Sequence, residues 1–454
     1  MIITDKIYFH SINKENNIVI NSITGAIDIL NKEVANILKN KNDNMLKNLD
    51  SKIIENLHKR GYIFKNRLEE EERINAVYNI YMEDVKKHDN IFCICPTFNC
   101  NLACTYCFEG DITSNKSIMS EEKLKSVFNF IENEINNNDN KNNVLQLFGG
   151  EPLLKQNFKI VKKVLEFSLK PQISGVDIIT NGVELIDYKD LLNEYKDSVR
   201  SIQVTIDGPP NVHDDRRMKK SGEGTFSTIL SNIKLMLSLG FNVVVRTNVD
   251  SKNIDSLVEL TEILENELIL YDNFDYYFSP VMSRHGACDS TMSEDQLIKK
   301  LNSNFTNKSL GAKKYPLDGI KILAHVSNVL EGNSSFSIAP LFHYCEAAKG
   351  EYVAFGPDGK CYPCGQAVGV KELSIGSYFP KIELNKEILN SWKHLGVMDK
   401  PKCSKCSISL LCGGGCPFLS WNKTKNLKES VECEKHYKTL SNYLTNYKIE
   451  KGLV

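Results

Sequence analysis

Apolar and polar positions alternate over short distances at the start of the chain. KIYFHS and NIVINS predict two strands around the turn-forming NKEN, while EVANILKN and SKIIENLHKRGYIF predict helices, the second closing in an extended piece. The charged run from Lys65 to Arg73, followed by INAVYNIYMEDVKKH, predicts a helical connector. From about residue 91 the pattern changes. IFCICP, VLQLFGG, GVDIITNG, SIQVTIDG, NVVVRTN and FDYYFSPVM are β-rich runs, with longer helical patterns such as EEKLKSVFNFIENEI between them. Repeated strand-helix units predict an α/β fold with a parallel sheet or barrel, and six strands make a partial (β/α)6 barrel with its active site at the strands' carboxyl ends. Polar motifs follow the first five runs: Cys100 to Cys107, Gly149-Gly150-Glu151-Pro152, Thr180-Asn181-Gly182, Asp207-Gly208 and Asn248. They are expected to converge on one mouth. The polar NNNDNKNN at 136–143 predicts a loop.

Composition narrows the class. The 454 residues, 41% hydrophobic and 25% charged, describe a globular protein, and at roughly 100–200 residues per domain they fill about two to four domains. Lys and Arg number 56 against 57 Asp and Glu, a net charge of -1, so no global basic field draws the chain to nucleic acid or lipid. No apolar run approaches the roughly 18 residues of a membrane span, and MIITDKIYFHSINKENN lacks the basic and apolar regions of a signal peptide. A cytoplasmic location is therefore expected. In a reducing compartment the 14 cysteines point to metal or catalysis more than to disulfides. Their uneven distribution divides the chain into a cysteine-free front module (1–85), a central catalytic domain (91–310) and a cysteine-rich tail (340–454).

Cys100-x3-Cys104-x2-Cys107 sets three thiolates on one compact loop, able to hold three irons of a cubane and leave the fourth without a protein ligand. Zinc more usually takes CxxC pairs with a fourth Cys or His. With Tyr106 before the last cysteine, this loop resembles the CxxxCxΦC signature of the radical S-adenosylmethionine (SAM) superfamily. The resemblance implies that Cys100, Cys104 and Cys107 hold a [4Fe-4S] cluster that binds SAM and cleaves it reductively to a 5'-deoxyadenosyl radical, which abstracts a substrate hydrogen. It also implies that Gly149, Gly150 and Glu151 grip the methionyl amine, and that Thr180, Asn181, Thr205, Asp207 and Arg217 are candidates for positioning SAM. Tyr106 and Phe108 would shape the adenine pocket.

In the tail, Cys345-x13-Gly359-x4-Cys364, Cys403-x2-Cys406-x5-Cys412-x3-Cys416 and Cys433 resemble the SPASM extension of radical SAM enzymes, which carries two auxiliary [4Fe-4S] clusters. The resemblance implies that Cys403, Cys406, Cys412 and Cys433 hold the second cluster, and Cys345, Cys364 and Cys416 the first. Cys361 either completes the first or is a spectator beside an open iron. The alternative for the whole tail is a zinc-ribbon-like domain. Cys93 and Cys95 alternate in a strand as core thiols; Cys288, beside Arg284 and His285, is incidental. His213 and His343 read as structural, and Tyr362 as cavity lining or core.

Two classes resemble this domain plan: anaerobic sulfatase maturases, which form formylglycine, and peptide maturases, which crosslink ribosomally made peptides. The former carry an Asp after the cysteine aligned with Cys364, where this chain has Gly365, and begin close to their CxxxCxxC motif. The front module is similar to the winged-helix-like precursor-recognition element of peptide maturases, where a leader peptide adds a strand to a sheet edge. The resemblance thus implies a thioether-forming maturase of the sactipeptide or ranthipeptide kind, acting on a ribosomal precursor peptide and supplied by an electron donor such as flavodoxin or ferredoxin. Attack by a Cys sulfur on the acceptor carbon would leave a surplus electron for the auxiliary clusters. Carbon-carbon crosslinking and sulfatase maturation are the alternatives within the enzyme class. A cluster relay without SAM chemistry is the alternative outside it.

Overall fold

The computed structural model describes the chain except residues 108, 110–116, 138–141, 282–289, 306–319, 331–339, 394 and 453–454, and the side chains of 324 and 449–450. Phe108 and Cys288, with Arg284 and His285, lie outside the described residues.

The front module contains strands β1 (Ile2–Ile3), β2 (Ile7–Ser11), β3 (Asn16–Asn21), β4 (Ile27–Asn31) and β5 (Ile63–Phe64). β2, β3 and β4 form an antiparallel sheet in that order, and β1 pairs with β5. Sequence periodicity finds β2 and β3 but not β4, because IDIL is too short to show alternation. The helix Lys32–Lys39 starts where the Asn31 side chain accepts from the Val34 amide, and Ser51–Lys59 starts likewise at Asp50. Asn66 caps the connector helix Arg67–Val85, with its side chain 3.0 Å from the Glu69 amide. The connector carries Ile74, Val77, Tyr78 and Tyr81 onto a cluster of Ile23 and Phe64 from the front with Phe342, Val397, Cys403 and Leu410 from the tail. Phe342 meets Tyr78 edge-on at 5.0 Å and Tyr81 at 5.3 Å.

The central domain consists of β6 (Asn90–Ile94), β7 (Asn143–Leu147), β8 (Ile173–Thr180), β9 (Val199–Thr205), β10 (Val243–Val249) and β11 (Phe274–Pro280), paired in parallel in sequence order. These are the six β-rich runs read from the sequence. Helices such as Glu121–Asn137, Phe158–Ser168 and Phe226–Ser238 cover the outer face, and Val127, Ile131, Val161, Leu165 and Ile233 join one continuous core with the strands. The 136–143 segment differs from the expected loop at its ends: 136–137 close the helix, and Asn143 opens β7 because it pairs with Asn90 and Ile173.

The tail does not form a separate sheet. Its strand β12 (Tyr352–Phe355) pairs in parallel with β6, and β13 (Lys360–Tyr362), β14 (Gly376–Ser377) and β15 (Glu383–Leu384) follow antiparallel, giving one sheet of 10 strands. Beyond it lie short helices and the long Cys433–Glu450 helix. Among the described residues no helix is long and apolar enough to cross a membrane.

Phe342 is 1% exposed and links front module, connector and tail. Phe342→Ala is expected to cost about 3–5 kcal/mol, as truncation of a buried Phe does, and to speed proteolysis within the connector. An unfolding midpoint and a cleavage rate equal to wild type would contradict this packing role.

Candidate active site

The strand ends surround a cavity of about 180 Å³. Its wall includes Cys100, Cys104, Tyr106 and Cys107 after β6, Gly150 and Glu151 after β7, Thr180 and Asn181 from β8, Thr205 from β9, and Arg217. The structure therefore brings together the candidates from separate motifs. Gly149 and Asp207 do not line it and stand just behind.

The cysteine loop is held by backbone bonds to the segment beyond β9. The Ala103 amide donates to Met218 at 2.9 Å and the Thr105 amide to Arg216 at 3.0 Å. The two glycines after β7 need positive φ, +86° at Gly149 and +51° at Gly150, and neither has room for a side chain. A Cβ at Gly149 would lie 2.6 Å from Cys95 Sγ, and one at Gly150 2.4 Å from the Asn99 carbonyl oxygen. Close backbone approach, then, is what these glycines permit.

Glu151 is 1% exposed and accepts from Thr180 Oγ1 at 2.6 Å, the Asn181 amide at 2.6 Å and the Leu153 amide at 2.9 Å. Both carboxylate oxygens thus bind the ends of β7 and β8 together. Burial outweighs these donors and pushes its carboxyl up to about 7. Glu109, absent from the sequence reading, accepts from the Gly150 amide at 2.9 Å.

Tyr106 is a hub. Its hydroxyl donates to Asp207 and accepts from Arg217 at 2.6 Å and Asn248 Nδ2 at 3.1 Å, and its ring stacks 4.8 Å from Arg216. Asp207, fully buried, also accepts from the Asn248 amide at 2.9 Å. Asp207 therefore acts on the cavity through Tyr106 rather than from its wall. Arg217 is 8% exposed, and its Nε has no partner among the described residues. A guanidinium left with a donor in a cavity wall suits a carboxylate.

His213 is structural, as read: its Nδ1 accepts from the Asp207 amide at 3.2 Å, Nε2 meets Thr225 Oγ1 at 3.1 Å, and burial lowers its pKa to about 3. His343 stacks on Tyr81 and meets its hydroxyl at 3.2 Å. Tyr362 is core, its hydroxyl on Asp358 at 2.6 Å. Cys93 and Cys95 pack with Phe98, Ala354, Tyr362 and Val368. Sequence reasoning also missed Gln203 and Arg246 in the wall. Their signal was the period-two placement of Gln203 with Thr205 and Arg246 with Asn248, which turns each pair to the barrel interior.

In the tail, Cys403, Cys406, Cys412 and Cys433 line a second cavity of about 20 Å³ together with Cys416, His436 and Tyr437. Cys345, Cys364 and Cys416 share another apolar cluster with Ala347, Trp392 and Phe418. Cys361 is turned away from them: on β13 it packs with Phe355, Ile375 and Tyr378 in the barrel core. Two buried lysines of this region were not read from the sequence. Lys400 Nζ donates to Gly414 O at 2.8 Å, and Lys6, from the front module, donates to Cys403, Ser404 and Cys406 carbonyls at 3.0, 2.8 and 3.1 Å. Among the described residues no three His, Cys, Asp or Glu side chains gather tightly enough for a single metal ion; the thiols stand around cavities.

Residues 94–264, from the end of β6 into helix Leu257–Leu268, match the Radical SAM superfamily. The chain carries a radical SAM domain and is an enzyme. It is 25% identical over 335 residues to a cysteine-type anaerobic sulfatase-maturating enzyme of Clostridium novyi, spanning 70% of this chain and 85% of the relative. Among solved structures, anSMEcpe with bound AdoMet and Cp18Cys peptide matches 80% of this chain and 98% of its own at 20% identity and a TM-score of 0.59. SuiB of Streptococcus suis, bound to its precursor peptide SuiA, matches 94% of this chain and 98% of its own at 16% identity and a TM-score of 0.54.

A radical SAM domain implies a [4Fe-4S] cluster and SAM, and the cavity fits both. Three thiols stand on one wall, and the Arg217 Nε donor supplies a site for an amino-acid carboxylate. Burial raises Cys100 to about 12 and Cys107 to about 11, so the thiolates form when iron displaces their protons.

The Glu151 carboxyl sits near 7 in the fold against an ordinary 4.5, so the native protein holds more protons than the unfolded chain between those values. Its stabilisation is complete below the unfolded value and is lost as pH rises through 7, by roughly 3 kcal/mol. Comparing unfolding of metal-free wild type and Glu151→Gln from acid to neutral pH should show that the substitution flattens this decline. Parallel pH profiles would refute the assignment.

Proposed function

We propose that this radical SAM enzyme matures a ribosomally made, cysteine-containing precursor peptide by joining a Cys sulfur to a carbon of another residue. One observation carries the reading: the barrel and its cavity are fused to a front sheet whose outer strand β4 has no further strand paired to it among the described residues, and Ile29 on it is 57% exposed. Such an edge can take a leader peptide as an added strand. The likeness to peptide-bound SuiB, which covers 94% of this chain against 80% for anSMEcpe, supports a shared front module.

Three [4Fe-4S] clusters belong to this reading, with flavodoxin or ferredoxin as donor. Cys100, Cys104 and Cys107 would hold the first; Cys345, Cys364 and Cys416 the next; Cys403, Cys406, Cys412 and Cys433 the last. Cys361 is left to the core, which favours the variant with an open iron at the Cys345 site. When bound, the first cluster supplies the electron that cleaves SAM to a 5'-deoxyadenosyl radical. The protein's part is placement. Arg217 would take the methionyl carboxylate, and Glu151, by tying Thr180 and Asn181 to the β7 end, would keep the amine site in shape. Thr205, Gln203 and Arg246 would line the substrate side, and Tyr106, held by Asp207 and Asn248, would bound the nucleoside.

A second reading, formylglycine formation, is favoured by the Clostridium novyi relative. Against it stands Gly365. A Cβ there would lie 2.9 Å from Tyr352 Oη and 3.5 Å from Phe148, so the Tyr352 hydroxyl fills the place where the sulfatase-maturase pattern has an Asp.

Incubating the reduced holoenzyme and SAM with the peptide from a Cys-rich reading frame beside the gene separates these outcomes by mass. A thioether removes two hydrogens and one free thiol; formylglycine loses the sulfur and two hydrogens and gains one oxygen. Ile29→Asp, which alters only an exposed edge residue, is expected to cut product formation about tenfold, roughly 1.4 kcal/mol of binding. Undiminished product from this variant would remove the edge-docking argument.

A further inference from the structure

Lys6 and Lys400 are the two buried lysines among the described residues, at 8% and 0% exposure. Burying an ammonium without a counter-ion costs several kcal/mol, so such groups are normally found paired with carboxylates. Neither is in an ion pair among the described residues. The Lys6 ammonium donates to the carbonyls of Cys403, Ser404 and Cys406 and to Ser409 Oγ at 2.9 Å. That of Lys400 donates to Gly414 O at 2.8 Å and Gly415 O at 3.4 Å. The carboxylates nearest Lys6 are already engaged, Asp5 with Lys41 and Glu70 with Arg67. All the acceptors are neutral. Two positive charges thus stand directly behind a cavity wall, bonded to its residues Cys403, Cys406, Ser409 and Gly414, and the one carboxylate in that wall, Glu432, is paired with Lys435 at 3.1 Å.

We propose that Lys6 and Lys400 are counter-charges of a cluster held by Cys403, Cys406, Cys412 and Cys433, which makes the front module a built part of that redox site. This rests on the three-cluster reading above. The thiol set supplies what the lysines lack, since a thiolate-ligated cubane carries net negative charge that grows on reduction. Nearby cations favour the reduced form and raise the reduction potential against the opposing effect of burial, the property of a site that accepts an electron.

Lys6 reaches the site because the front module holds its backbone: the Ser22 amide donates to Lys6 O at 2.9 Å and the Lys6 amide to Thr4 Oγ1 at 3.1 Å. Ile23 and Phe64 of the same module pack in one cluster with Cys403. A shift of the front sheet would therefore move a charge that faces the cysteine loop. Lys400 lies within electrostatic reach of Cys403 and Cys412 on one side and of Cys416 and Cys345 on the other, placing it between the two tail sites.

The test is an anaerobic redox titration, followed by electron paramagnetic resonance, of the reconstituted full chain as wild type, Lys6→Met, Lys6→Arg, Lys400→Met and Lys400→Arg. With wild-type iron content, each Met variant should titrate one cluster at a lower potential, and each Arg variant should return it toward wild type. Unchanged potentials in both Met variants, or Arg variants displaced as far as the Met ones, would overturn the proposal. Where a Met variant loses iron, the neutral but polar Gln variant carries the same measurement and the same two outcomes. A Cys403, Cys406, Cys412 and Cys433 quadruple Ala variant tests the underlying reading separately. If its iron equals wild type, no cluster is held there, whatever the lysines do.

Discussion

Strand β6 is hydrogen-bonded on both flanks, to β7 on the barrel side and to β12 of the tail on the other. The rest of the structure depends on that double pairing. Its carboxyl end feeds the cysteine loop, so the Cys100–Cys107 segment is fixed relative to the barrel ends and to the tail by one five-residue strand. Cys93 and Cys95 on the same strand pack against Ala354 of β12 and Tyr362 of β13, sealing the join with apolar contact. One sheet therefore carries both the larger cavity and the start of the cysteine-rich tail.

Electrostatics then differentiates the sites. Around the larger cavity, charge is balanced within the protein: Arg216 pairs with Asp250 at 2.8 Å, Asp207 is shared by Tyr106 and Asn248, and Glu151 is satisfied by three donors. Arg217 keeps one donor unpartnered among the described residues. In the tail the balance is different, with two buried ammoniums that donate only to neutral oxygens, backbone carbonyls and Ser409 Oγ. Fixed donors and charges in a low-dielectric interior act strongly and need no rearrangement.

Much of this was legible in the sequence, for local reasons. Cysteine spacing is a covalent fact, and six strands showed because buried parallel strands are dense in Val, Ile and Phe. The glycine pair was readable because only glycine tolerates the backbone approach found at Gly149 and Gly150. What was not legible depends on tertiary partners. β12–β15 are two to four residues each and exist as strands because β6 offers an edge. Asp207 was expected at the ligand, yet it faces Tyr106, a contact across 101 positions. The Lys6 bond to Cys403 spans 397 positions, and no local pattern distinguishes that lysine from the chain's many solvated ones.

The central claim is that three cysteine sets hold three cubanes and that the set at Cys100, Cys104 and Cys107 is the one that works on SAM. Anaerobic iron and sulfide quantitation of reconstituted wild type beside the Cys100, Cys104 and Cys107 triple Ala variant, each incubated with SAM and dithionite, tests it most directly. The account predicts about twelve irons in wild type, about eight in the variant, and deoxyadenosine from wild type alone. Iron near four, zinc in the tail, or deoxyadenosine from the variant would contradict it.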